Sequence, residues 1–201
     1  MRDVTEAEHL KKITQEISEK YSQIDICIPN AGYSVYGLFE KTTSAQWRRK
    51  MEINFFGVIW TTQAALPFFK KSKGRLVVIS SVAGKLGAAH VSAYCSSKFA
   101  LVGLGNSLYQ EFKPLGISVT NILFGFVESE IIHVGNDGVF QKAEEKRPKN
   151  LIWPPEKAAI PIVNAIYKRK REAVITGHGK IAAFLGQHFP GLIYWAMTRK
   201  T

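Results

Sequence analysis

Apolar and polar positions run along this chain in two rhythms, one near 3.6 residues and one almost continuous. Leu10, Ile13, Ile17 and Tyr21 recur at helical spacing. Thr5 and Glu8 before them have the spacing of a capping box. Ile24-Asp25-Ile26-Cys27-Ile28 is short and mostly apolar, which predicts a buried parallel strand. Pro29-Asn30-Ala31-Gly32 closes it as a turn. Thr43 and Gln46 form a second capping box, followed by Trp47, Met51, Phe55, Val58, Thr62 and Leu66 on one helical face. Leu76-Val77-Val78-Ile79 is a second continuous run, with Ser80 and Ser81 at its C-terminal end. A Gly- and Ala-rich loop spans 82–91. Ser92 is then expected to cap a helix striped by Leu101, Leu104, Leu108 and Phe112, which Pro114 and Gly116 stop. Ile117 to Phe124 predicts a third strand, closed by Gly125.

Residues 126–153 show no period and mixed charge. A loop of that length in a compact domain is a lid or binding loop, here a substrate loop, unless it is disordered. Pro155 suits the first turn of a helix reaching about Lys170. Glu172 to Thr176 predicts a last strand. Residues 180–201 form an apolar, aromatic tail interrupted by Pro190. Strands alternating with helices imply one α/β domain over 1–201, with about four strands in a parallel sheet covered by helices on both faces.

Composition narrows the class. The chain has 201 residues, 46% hydrophobic and 21% charged, which excludes collagenous and disordered types. Cys27 and Cys95 alone make no disulfide framework, so a reducing compartment, the cytoplasm, is expected. No run of eighteen or more apolar residues is present, so no transmembrane helix is expected. The net charge of +11 is uneven, since residues 142–201 hold twelve Lys/Arg against four Asp/Glu. Lys168-Arg169-Lys170-Arg171 has the look of an anion-binding patch, but a solvated helix end explains a lone four-residue run better, and no nucleic-acid partner is expected. His9, His90, His133, His178 and His188 lack metal spacing and read as solvated or internally satisfied.

In an open parallel sheet, ligands bind outside the carboxyl ends of the strands. Asn30-Ala31-Gly32, Ser80-Ser81 and Gly125 onward all fall there. Tyr94 and Lys98 are spaced i,i+4 on one helix, so they share a face, and Ser81 can converge on them. Such a set suits proton transfer coupled to hydride transfer. An ammonium ~4 Å from a phenol, at an effective dielectric of ~20, gives about 4 kcal/mol, or about three pKa units of lowering. That brings Tyr94 toward operating pH, while Ser81 hydrogen-bonds the substrate oxygen.

A lone Tyr-x-x-x-Lys is a weak signal and is more often a helix-surface pair. Several motifs in order are a strong one. The chain resembles the short-chain dehydrogenase/reductase family over essentially all of residues 1–180. Tyr94-Cys95-Ser96-Ser97-Lys98 resembles its active-site motif, and Ser81 lies thirteen residues before Tyr94, as the family's serine does. Asn54 in Ile53-Asn54-Phe55-Phe56-Gly57 matches its helix asparagine. Asn30-Ala31-Gly32 matches most of Asn-Asn-Ala-Gly, with Pro29 in place of the first Asn. Asp3-Val4 resembles the segment that reaches the adenine. Gly125-Phe126-Val127 with Ser129 resembles the segment flanking the nicotinamide, with Phe124 where the family has Pro.

The resemblance implies a Rossmann-like doubly wound sheet and an NAD(P)-dependent oxidoreductase interconverting an alcohol and a ketone. Tyr94 is the implied acid/base and Ser81 the group orienting the carbonyl. Lys98 is implied to lower the Tyr94 pKa and bind ribose, and Asn54 to hold a relay water. The small-molecule substrate is open, and the apolar tail is compatible with a lipophilic one. The helices over 43–70 and 92–113 match the family's subunit surface, which implies a homo-oligomer. The glycine-rich fingerprint Thr-Gly-x-x-x-Gly-x-Gly does not occur in these residues. The chain is therefore expected to be an N-terminally truncated member that binds dinucleotide weakly by itself. Two alternatives follow. One is a catalytically silent homologue acting through association, and the other is a peripheral contact of the tail with a membrane surface.

Overall fold

The computed structural model describes residues 3–34, 36–135, 139–140, 145 and 147–199, so part of the expected substrate loop and the last two residues of the tail lie outside it. Helix α1 (Ala7–Tyr21) leads into β1 (Ile26–Cys27). Helices α2 (Ser44–Met51) and α3 (Gly57–Ser72) precede β2 (Arg75–Ser81). Helix α4 (Ser92–Phe112) precedes β3 (Ser118–Phe124), and α5 (Pro155–Tyr167) precedes β4 (Glu172–Val174). Two helices finish the chain, α6 (Gly177–His188) and α7 (Pro190–Thr198).

The four strands form one parallel sheet in the order β1-β2-β3-β4. Successive side chains on a strand point to opposite faces, so β2 and β3 feed two cores. Leu76, Val78 and Val119 pack on one face against Val58, Ala65 and Phe69 of α3 and Leu101 and Phe112 of α4. Val77 and Ile122 pack on the other against Ala158, Ala165 and Ile166 of α5. The sheet is thus wound on both faces, as the alternating pattern predicts. The register sets Ser81 beside Phe124, so the ends of β2 and β3 are level.

Several local expectations are corrected. Thr5 does not cap α1; Glu6 occupies the cap without a side-chain bond, and the Thr5 N–H instead meets Asp3 Oδ1 at 2.9 Å. Ser92 lies inside the first turn of α4, whose cap is Val91. The run 24–28 forms only a two-residue strand, and Ile26 and Ile28 are exposed. Among the described residues β1 pairs with β2 alone, so it is an edge, as is expected of this strand where the family's first strand does not flank it. The Thr43–Gln46 capping box is formed in full. Between α2 and α3 the helix loosens into a π-helical segment, Glu52–Phe56, which holds Asn54. Such segments occur frequently at functional sites. In the basic run, Arg169 bonds the carbonyls of Gly116 and Lys73, and Arg171 bonds Asn106 Oδ1.

Candidate active site

Three strand ends and the first turns of α4 build the site. Ser81 ends β2. Its Oγ donates to the Phe124 carbonyl at 3.2 Å and accepts from the Ala83 N–H at 3.1 Å, which fixes the hydroxyl at the level where β3 ends. Tyr94 and Lys98 occupy one face of α4. The Ser81 side chain lies near enough to the Tyr94 hydroxyl to act on its ionisation, so the structure brings these two together. Burial pushes the Tyr94 hydroxyl above its usual range, and Ser81 opposes that shift.

The expected influence of Lys98 on Tyr94 is not found. The Lys98 ammonium donates to the Ile79 carbonyl at 3.0 Å and sits 5.6 Å from the centroid of the Tyr94 ring. It stands beside the ring and bonds main chain instead of the hydroxyl. Burial brings Lys98 itself down to about 8. The backbone of Lys98 is held from below. Ser80 Oγ donates to its carbonyl at 3.0 Å, and Gly84 lies so close that a Cβ there would come within 2.6 Å of that oxygen.

Asn54 is fully buried and reaches two elements. Its Nδ2 donates to the Tyr33 carbonyl at 3.0 Å and to Ser97 Oγ at 3.3 Å, and its Oδ1 accepts from the Tyr33 N–H at 3.1 Å. Ser97 Oγ in turn donates to the Tyr94 carbonyl at 2.8 Å. Asn54 thereby ties the loop carrying Asn30, Ala31 and Gly32 to the helix carrying Tyr94 and Lys98. Both Nδ2 hydrogens are used, which leaves one Oδ1 lone pair for a further partner.

Gly125 needs to be glycine, since a Cβ would meet Thr176 Oγ1 at 2.1 Å and His178 Nε2 at 2.5 Å. The Phe126 N–H donates to His178 Nε2 at 3.0 Å, and Val127 pairs with Trp153. Ser129 is exposed and lines a separate cavity of about 370 Å³ with Glu128, Glu130, His133 and Pro155. Asp3 and Val4 lie at the start of α3, where Val4 packs on Gly57 and Asp3 bonds Thr5.

Two residues of this region were not singled out by the sequence. Lys50 is wholly buried. Its ammonium donates to the same Tyr33 carbonyl that Asn54 holds, and lies 3.4 Å from the Tyr33 ring centroid. Burial, helped by the charge of Lys98, brings it down to about 6. Its only sequence signal is i,i+4 spacing to Asn54 on the apolar side of α2. The second is His178, which fixes Phe126.

The arrangement can hold an oxygen-bearing substrate at Ser81 and Tyr94. A buried ammonium has three donors, and here Lys98 has a single hydrogen-bonded acceptor, the Ile79 carbonyl, among the described residues. That fits a hydroxyl-bearing group such as the nicotinamide-side ribose of a dinucleotide.

The model of the short chain dehydrogenase family matches residues 1–138. The chain belongs to the short-chain dehydrogenase family. A Dictyostelium discoideum "dehydrogenase/reductase SDR family protein 7-like" is 33% identical over 193 residues, covering 95% of this chain and 60% of that protein. A Bos taurus 3-ketodihydrosphingosine reductase is 38% identical over 112 residues, 55% of this chain and 34% of its own. A solved short-chain dehydrogenase from Streptomyces avermitilis superposes with a TM-score of 0.78 at 27% identity, covering 99% of this chain and 79% of the other. The chain spans about 60% of the length of the curated relatives it matches over most of its residues.

The exposed large apolar side chains of this short-chain dehydrogenase are unevenly placed. On the two helical stretches expected to carry a subunit surface they are Phe56 and Phe99. More lie on α5, α6 and α7. Among the described residues no helix is long and apolar enough to cross a membrane.

Proposed function

We propose that this site interconverts a ketone and an alcohol with NAD or NADP. The observation that carries the reading is the Tyr94 hydroxyl beside Ser81, on the same helix face as a buried, sparsely bonded Lys98. A bound nicotinamide supplies the hydride in reduction and takes it up in oxidation. Tyr94 gives its proton to the carbonyl oxygen in reduction and takes it back in oxidation. Its raised pKa keeps it protonated near neutrality, which suits the acid role. Ser81 donates a hydrogen bond to the substrate oxygen, turning from the Phe124 carbonyl to do so. Lys98, Asn30–Gly32 and Gly125–Val127 together hold the nicotinamide end of the cofactor. Asn54 keeps the 30–33 loop against α4. The likeness to a 3-ketodihydrosphingosine reductase supports a lipophilic ketone as substrate class.

The test is NADH- and NADPH-dependent reduction of a panel of apolar ketones by the wild type and by Tyr94→Phe. Turnover in the wild type that falls by about 10²-fold or more in the variant is expected. Equal turnover in both, or none in the wild type with any ketone, sinks the reading.

A further inference from the structure

We propose that the outer face of α6 and α7 is a docking surface for an anionic lipid bilayer. Both helices are anchored on their inner side. Ala183 is buried, Gly186 lies against Leu86, and the Tyr194 hydroxyl accepts the Gly87 N–H at 3.0 Å. The outer side is bare. Ile181 (63% exposed) and Phe184 (56%) are spaced i,i+3 on α6, and Leu192 (61%) and Trp195 (53%) repeat that spacing on α7. Phe189 joins the two stripes, with its ring 6.2 Å from that of Phe184. The result is one apolar, aromatic strip along two short helices. Monomeric proteins rarely leave such a strip in water without a partner.

Charge decides what the partner is. From Ala173 to Thr201 the sequence has no Asp or Glu, while it holds Lys180, Arg199 and Lys200. Lys180 and Arg199 are exposed, and the Arg199 guanidinium lies 4.0 Å from the Trp195 ring centroid. A two-fold contact with a second copy would set these cations against a surface equally devoid of carboxylates. An anionic bilayer answers both features. Its acyl boundary takes Phe184, Leu192 and Trp195, and its phosphates and carboxylates take Lys180 and Arg199. The helices have 12 and 9 residues, far short of the ~20 needed to span, so they lie in the plane of the interface.

The experiment is co-sedimentation of the full chain with vesicles of phosphatidylcholine alone and of phosphatidylcholine mixed with phosphatidylserine. Three proteins are compared: the wild type, Phe184→Glu/Leu192→Glu, and Lys180→Glu/Arg199→Glu. All four positions are exposed, and circular dichroism confirms that each variant folds. The wild type is expected to pellet with the anionic vesicles and to show a blue-shifted Trp195 emission. Each double variant is expected to bind those vesicles at least about tenfold more weakly. A wild type that stays in the supernatant with both vesicles overturns the proposal, and so do variants that pellet like the wild type. A dimer in solution that Phe184→Glu/Leu192→Glu abolishes, with no vesicle binding, overturns it in favour of a second copy.

Discussion

Asn54 holds both main-chain groups of Tyr33, accepting its N–H at 3.1 Å and donating to its carbonyl at 3.0 Å. One side chain in a π-helical segment thus fixes the peptide that follows Gly32, and its remaining amide hydrogen fixes Ser97 on α4. Asn54→Ala leaves the buried Tyr33 N–H without an acceptor and removes a link between loop and helix. The expected loss is about 2–3 kcal/mol in urea unfolding. A loss below about 0.5 kcal/mol refutes the clamp.

Lys50 and Lys98 make stability depend on pH in the alkaline direction. Burial brings their folded pKa values to about 6 and about 8, below the ordinary lysine value of 10.5. Between about pH 6 and 10 the unfolded chain therefore binds more protons than the folded one, and stability rises with pH through that window. Lys50→Met removes the larger contribution. At pH 6 it is expected to be more stable than the wild type by about 1–3 kcal/mol, with a flatter profile up to pH 10. Urea midpoints at a series of pH values read both quantities, and an unchanged slope contradicts the burial of a titrating amine.

Two glycines of α4 predict opposite signs. A Cβ at Gly105 would meet Asn121 Oδ1 at 1.9 Å, whereas one at Gly103 meets nothing within 4 Å. Gly105→Ala should cost about 2–3 kcal/mol, because Asn121 is buried on β3 and held by Asn106. Gly103→Ala should gain about 0.5–1 kcal/mol from helix propensity alone. Thermal melts of the two variants decide the matter. Equal shifts would show that α4 does not approach β3 so closely.

His178 accepts the Phe126 N–H through Nε2, so the bond exists only while that nitrogen is unprotonated. Burial lowers its pKa below the ordinary histidine value of 6.5. Its contribution is complete above pH 6.5 and is lost as pH falls from there through the folded pKa. His178→Ala should therefore lose more stability at pH 7.5 than at pH 5. Amide exchange at Phe126, followed by NMR, should accelerate in the variant at the higher pH. The same protection in both proteins refutes the contact.

Tyr94, Lys98 and Ser81 were legible in the sequence for simple reasons. An i,i+4 pair shares a helix face, and a polar pair after an apolar run marks a strand end. What Lys98 does with its ammonium was not legible. Its direction is set by the Ile79 carbonyl, a tertiary contact. Lys50 escaped for a related reason. A lysine beside Trp47 and Met51 reads as the wet flank of an amphipathic helix, and only the fold shows that Tyr33 covers that flank. The run 24–28 carries the apolar pattern of a buried strand, but burial needs a neighbour on each side, and among the described residues β1 pairs with β2 alone.

The close fit of Gly105 against Asn121 has a consequence at the other end of α4. Eleven residues separate Gly105 from Tyr94, about 16 Å along a helix axis. A slip of one residue in a helix is a rotation of about 100° and an advance of about 1.5 Å. Such a slip would swing the Tyr94 ring off Ser81 altogether. The methyl group absent from Gly105, and the Asn121 amide that its absence admits, thus act as an alignment pin. They set the azimuth of a hydroxyl that they never touch, so a substitution there would misaim the Tyr94 hydroxyl before it unfolded the domain.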